Sequence, residues 1–141
     1  MIVEAMLHHR GPRIVSVPMN KSLQGTMALM RAEQVDAVVV FDRCATEGEA
    51  VLGLLTRQDV IDALADHGAA AFTMPVAKLI KGPFVICDIG EDLPSLISTM
   101  RERAAHHALV MDREQAIGLI DVSDILFFGQ PAAMPGDARV H

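Results

Sequence analysis

The sequence predicts an α+β fold: two repeated β-α-β-β-α units packed around a pseudo-twofold axis. The first observation is an internal repeat. Sliding residues 1–70 against 71–141 by 70 positions places Leu23 on Leu93, Met30 on Met100, Arg31 on Arg101, Val40 on Val110 and Asp42 on Asp112. With five residues removed from the first copy's loop, Gly53-Leu54-Leu55 falls on Gly118-Leu119-Ile120 and Asp59-Val60-Ile61 on Asp124-Ile125-Leu126. In such a repeat each copy is one supersecondary unit completed by its neighbour, and the clefts between copies are where a small ligand is expected. The second observation is the alternation of short apolar runs with helical stripes in the same order in both copies. The third is composition: 51% hydrophobic and 21% charged residues describe a globular chain, and nine Met beside five Phe and no Trp or Tyr suggest an adaptable, helix-rich core.

Taken in order, residues 2–9 read as a short amphipathic helix with Ile2, Ala5, Met6 and His9 at helical spacing, stopped by Gly11-Pro12. Residues 14–17 form a short strand. Ser22 is a candidate N-cap for a helix to about Gln34 with the stripe Leu23, Met27 and Met30. Ala37–Phe41 is a continuous apolar strand of the kind buried on both faces. A polar loop with Asp42, Glu47 and Glu49 leads to a strand at 51–55 and a helix from Arg57 to about Ala65. The first unit thus spans 14–66, and 67–82, rich in Ala and Gly, reads as a linker. The second unit, 83–128, repeats the order: strand 84–87, a helix from Asp92 to about Arg103 with Pro94 in its first turn, strands 107–111 and 116–120, and helix 122–128. The tail, 129–141, has little apolar surface and is expected to be mobile.

Composition narrows the function. Net charge is −6, and no basic face with interleaved aromatics appears, which argues against nucleic acid as a partner. No apolar run reaches the roughly 18 residues that span a bilayer, and the opening Met1-Ile2-Val3-Glu4 carries an acid where a signal peptide has bases. Cys44 and Cys87 form no metal-ligand spacing, so a reduced, cytoplasmic protein is the simplest reading. No metal cluster, nucleophile elbow or phosphate-cradling glycine loop is present, and no enzymatic activity is expected.

The sharpest local signal is Gly53-Leu54-Leu55-Thr56-Arg57-Gln58-Asp59-Val60. A buried strand ends, a hydroxyl follows, and an acid comes three residues later in the first helical turn. One carboxylate can accept both vicinal hydroxyls of a ribose. The helix N-terminus favours a nearby phosphate, which Thr56 and Arg57 could contact. The same Thr-x-x-Asp pattern is also an ordinary capping arrangement, and the two readings are compatible.

A duplicated β-α-β-β-α unit ending each time in Gly-apolar-apolar-x-x-x-Asp-apolar resembles a tandem pair of CBS domains, the Bateman module, over roughly Val3 to Phe128. The resemblance implies a stand-alone regulatory protein that binds an adenosine nucleotide (AMP, ADP, ATP or NAD) between the repeats, and signals to an unidentified protein. The alternative it leaves is a ligand-free structural or interaction dimer. It assigns Thr56 and Asp59 to the hydroxyl and ribose positions, puts adenine contacts at Val85, Ile86, Cys87 and Ala108, and brings His106 and His107 toward the phosphate, although the family's Arg and Pro are missing there. In a second cleft, Asp124 keeps the ribose position beside Ser123, with Ser16 and Val17 opposite. Asp121 replaces the hydroxyl residue and no Arg follows, so phosphorylated ligands are expected to prefer the first cleft. Ile125-Leu126-Phe127-Phe128 gives the last helix apolar surface on nearly all sides, which predicts a homodimer.

Overall fold

In a computed structural model, residues 2–10, 14–42 and 50–128 are described. Two three-stranded sheets carry the two units. The first contains β1 (Ser16–Pro18), β2 (Ala37–Asp42) and β3 (Ala50–Thr56) in the order β1-β2-β3; the second contains β4 (Val85–Asp88), β5 (His107–Asp112) and β6 (Gln115–Asp121) in the order β4-β5-β6. In each, the outer pair is parallel on one side and antiparallel on the other. The repeat offsets hold residue by residue. Val40 pairs with Gly53 as Val110 pairs with Gly118, and both ladders shift register one step later.

The helices follow from their caps. α2 (Leu23–Glu33) starts where Ser22 Oγ accepts from Gly25 N, and it stops at Gln34 in the left-handed region. α4 (Leu93–Arg103) starts at Asp92, accepting from Ser95 N, and stops at Ala104, again left-handed. α3 (Arg57–His67) and α5 (Val122–Phe128) follow the last strand of each unit without a loop. β2 is buried along five consecutive residues, as a strand covered on both faces must be.

What covers each unit departs from expectation. Helix α1 (Val3–Arg10) buries Val3, Met6 and Leu7 rather than Ile2 and Ala5, and it buries them in the core of the second unit, with Val85, Cys87, Leu96, Met100 and Ile120. The segment read as a linker forms two 3-10 turns, Gly68–Thr73 and Val76–Lys78, whose Ala71, Val76 and Leu79 complete the core of the first unit with Val17, Leu23, Val38 and Leu55. Backbone bonds repeat the exchange: Val3 N donates to Glu91 O at 2.8 Å and Glu4 N to Ile89 O at 3.0 Å, while Val76 N donates to Lys21 O at 2.9 Å and Ala77 N to Met19 O at 3.1 Å. Each unit is therefore closed by the segment that precedes the other unit in sequence. Glycine makes the approach possible. A Cβ at Gly118 would lie 2.7 Å from Leu7 Cδ1, and one at Gly53 would lie 3.0 Å from Ile80 Cδ1.

A third cluster joins the two sheets face to face through Ala37, Val39 and Leu54 from one and Leu109 and Leu119 from the other. Val39 and Leu109, and Leu54 and Leu119, are repeat counterparts, so the contact straddles the pseudo-twofold axis. Residues 43–49, including Cys44, Glu47 and Glu49, the tail, and the side chains of His8, His9, Phe127 and Phe128 lie outside the described residues.

Candidate functional site

Two clefts, each of about 570 Å³, flank the sheet-to-sheet contact. The first is lined by Thr56, Arg57, Gln58 and Asp59 from the β3–α3 junction and by His106 and His107 at the start of β5. Leu54, Lys81, Gly82, Pro83 and Ala104 are among its other walls. The ribose-type acid, the hydroxyl residue, the guanidinium and the histidine pair named from sequence are thus brought together.

The junction is held by a reciprocal cap. Thr56 N donates to Asp59 Oδ2 at 2.9 Å, and Asp59 N donates to Thr56 Oγ1 at 3.2 Å. Asp59 is buried, with 6% of its surface exposed. The printed cap bond uses its Oδ2, and the residue lines the first cleft. The cap therefore uses one of the two carboxylate oxygens. Thr56 accepts through Oγ1 and retains its O–H to donate.

The expected adenine contacts are not brought to this cleft. Val85, Cys87 and Ala108 lie in the second unit's core, because the alternating pleat of β4 sends Val85 and Cys87 inward. Ile86 points the other way and is 58% exposed. It is the chain entering β4, at Lys81-Gly82-Pro83, that crosses the cleft. Burial foremost, reinforced by Glu91 and Asp88, pushes the Cys87 thiol up to about 12, which keeps it protonated and unreactive.

The second cleft contains Asp121, Ser123 and Asp124, as expected, but near β1 its lining residue is Val15 rather than Ser16 or Val17. Ser16 is exposed and Val17 is buried in the first core, since β1 alternates in the same way. Asp121 caps α5: its Oδ1 accepts from Asp124 N at 3.0 Å and from Ser123 Oγ at 2.6 Å, and Asp124 Oδ2 accepts from Asp121 N at 2.9 Å. Asp121 lines both clefts, and the second cleft gains Arg31 and Arg57. The premise that only the second cleft combines a repelling carboxylate with a lack of arginine is therefore corrected. No Arg follows Asp121 in sequence, but the fold brings two from the other repeat.

Sequence reasoning also passed over Asp36, which lines both clefts. The repeat could have found it, since Asp36 is the counterpart of His106 at the 70-residue offset. Arg31 matched Arg101 in the repeat but carried no local motif. Among the described residues no group of three or more His, Cys, Asp or Glu could hold a metal ion, and no helix is long and apolar enough to cross a membrane.

Partial burial raises the Asp121 carboxyl, but the Ser123 and Asp124 hydrogen bonds and the charge of His107 outweigh it and hold the group below the usual carboxylate range. His107 lies directly opposite Asp121 in the β5–β6 ladder. A depressed folded-state value stabilises the fold above the ordinary carboxylate pKa, about 4, and that contribution disappears as pH falls through the lower folded value. Asp121→Asn keeps the cap acceptor and removes the charge. The unmodified protein is expected to be the more stable of the two at pH 7, with the difference shrinking toward pH 3; urea denaturation across that range measures it.

The CBS-domain family model matches residues 7–66 and 76–130. No curated protein matches the sequence. Among solved structures, a CBS-domain protein from Agrobacterium tumefaciens is 25% identical, with a TM-score of 0.76 over 91% of this chain and 98% of its own. A CBS-domain protein from Pyrobaculum aerophilum, solved in complex with AMP, is 16% identical, with a TM-score of 0.72 over 90% of this chain and 92% of its own. The CBS domain of a bacterial CNNM/CorC-family Mg2+ transporter is 22% identical, with a TM-score of 0.69 over 89% of this chain and 73% of its own. Two matched segments, carried by two repeated β-α-β-β-α units, show that the chain belongs to the CBS-domain family as a tandem pair.

Proposed function

We propose that this CBS pair is a non-catalytic regulatory module that binds an adenosine-containing nucleotide, AMP, ADP, ATP or NAD, in the first cleft and signals to a partner protein. The observation that carries the reading is Asp59: a nearly buried carboxylate at a helix N-terminus, with one oxygen in the cap, lining a cleft that also holds Thr56, Arg57, His106 and His107. Ribose hydroxyls match the carboxylate, and a phosphate matches the Thr56 hydroxyl, the guanidinium and the imidazoles. That a Pyrobaculum CBS-domain protein was solved with AMP supports the ligand class. The nucleotide acts by its differential affinity for two arrangements of the repeats or protomers.

A thermal-shift panel with AMP, ADP, ATP, NAD, S-adenosylmethionine and GTP tests this. A ligand at 100 times its dissociation constant adds about 2.7 kcal/mol, expected to raise the midpoint by roughly 5–10 °C. A panel with no shift favours the ligand-free interaction dimer, in which the reciprocal cap is the whole role of Thr56 and Asp59.

The reading includes a homodimer. Ile61 on α3 is 52% exposed, and on the second unit's helices Ile97 is 42% and Leu126 66% exposed, apolar surface that a self-complementary contact would cover. Light scattering at tens of micromolar is expected to give the mass of two chains, and Leu126→Asp or Ile61→Asp the mass of one. A monomeric unmodified protein removes the dimer from the proposal.

A further inference from the structure

The two clefts share a wall. Asp36, Arg57, His107, Asp121 and Ser123 line both. Only one of these side chains, Arg57, is a permanent cation, and two are carboxylates. Arg57 is fixed at the head of α3, where its N–H donates to Asp36 O at 2.9 Å. The repeat makes the corresponding bond from Val122 N to His106 O at 3.0 Å. The pseudo-twofold axis thus relates the guanidinium to an isopropyl group, and no second arginine stands at the corresponding position for the other cleft. Each cleft has a private cation of lesser use. Lys81, in the first, already pairs with Asp66 at 3.4 Å. Arg31, in the second, lies in the last turn of α2, beside that helix's carbonyl end.

We propose that Arg57 is a shared counter-ion that couples the clefts, so that a phosphorylated nucleotide in one weakens the binding of a second in the other. The proposal rests on the nucleotide reading above and adds its regulation. A phosphate that engages Arg57 from the first cleft withdraws it from the second, leaving Asp36 and Asp121 on the common wall to face the incoming anion. Losing one charged hydrogen bond corresponds to about ten- to hundredfold in affinity. Adenosine carries no phosphate and makes no demand on Arg57, so its two binding events are independent.

Calorimetry on the full chain tests the coupling as a cycle. Asp59→Ala and Asp124→Ala each disable one cleft and give the two single-cleft association constants; the unmodified protein gives the overall constant for two ligands. The ratio of that overall constant to the product of the single ones is the coupling factor. For AMP the expected factor is about 0.1–0.01; for adenosine, and for AMP when the cycle is repeated with Arg57→Gln, it is about 1. Uptake of one AMP but two adenosines per chain, with Asp59→Ala still taking up AMP in the second cleft, is the same result in its limiting form. An AMP factor near unity, a low factor that survives Arg57→Gln, or one adenosine as well as one AMP per chain overturns the proposal while leaving the nucleotide reading intact. If neither ligand binds, the nucleotide reading fails and the proposal falls with it. Where either Ala variant loses its fold, Asp59→Asn and Asp124→Asn, which keep a cap acceptor, complete the cycle.

Discussion

Asp59→Ala is expected to abolish the nucleotide-dependent thermal shift while costing the apo protein only a modest part of its stability. The two losses have separate sources. In the apo protein the carboxylate contributes one bond to the reciprocal cap, Thr56 N to Asp59 Oδ2 at 2.9 Å, together with its favourable place near the positive end of α3. Such contributions amount to roughly 0.5–2 kcal/mol. In the complex the same residue would accept two ribose hydroxyls, and charged hydrogen bonds contribute about 1.5–3 kcal/mol each, so affinity is expected to fall by a hundredfold or more. Asp59→Asn separates the roles, because its amide oxygen still accepts from Thr56 N while the charge is gone. Circular dichroism checks the fold, and thermal shift with and without nucleotide checks the site. A folded Asp59→Ala protein that retains the full ligand-induced shift would leave Asp59 as a capping residue only.

How much of this site was legible follows from which interactions are local. Thr56, Arg57 and Asp59 sit within one turn, and the strand-to-helix junction that presents them is written in contiguous residues. Asp124 was reached through the repeat, and the histidine pair through the family resemblance. The residues expected to contact adenine do not line the cleft, because the pleat of a strand decides which of its residues reach it. The alternation along β4 turns Val85 and Cys87 into the core and Ile86 away from it. Arg31 and Asp36 escaped notice because their roles come from the packing of one unit on the other, which no local pattern encodes. The same packing gives Arg57 to both clefts and so changes the electrostatic comparison between them.

The fold was legible to a greater degree, since burial pattern, caps and duplication agree in both halves. β2 reads as buried on both faces and is; Ser22 and Asp92, repeat counterparts, cap α2 and α4 in the same way. The exception is the exchange of closing segments. Residues 67–82 have the Ala, Gly and Pro content of a spacer, yet Ala71, Val76 and Leu79 are buried. Small side chains let this segment lie close against the first unit's core, and composition alone does not distinguish that from a flexible connection.

The exchange predicts where a mutation in α1 will be felt. Leu7 precedes the first unit in sequence but packs over Gly118 in the second, with 3% of its surface exposed. Leu7→Ala removes buried methyl groups and leaves a cavity above β6, at an expected cost of about 2–5 kcal/mol in urea denaturation. Hydrogen exchange gives the sharper measurement, because local openings expose the unit whose cover has been loosened. Amides of β5 and β6 are expected to exchange faster in Leu7→Ala, while those of β2 and β3 change less. Val76→Ala, on the segment that closes the first unit, should give the opposite pattern: Val76 is fully buried among Val17, Leu23, Val38 and Leu55. If Leu7→Ala instead loosens β2 and β3 first, α1 serves the unit it precedes. If each variant accelerates exchange equally in both sheets, the two units open together, and their face-to-face contact through Val39, Leu54, Leu109 and Leu119 governs stability more than either closing segment does.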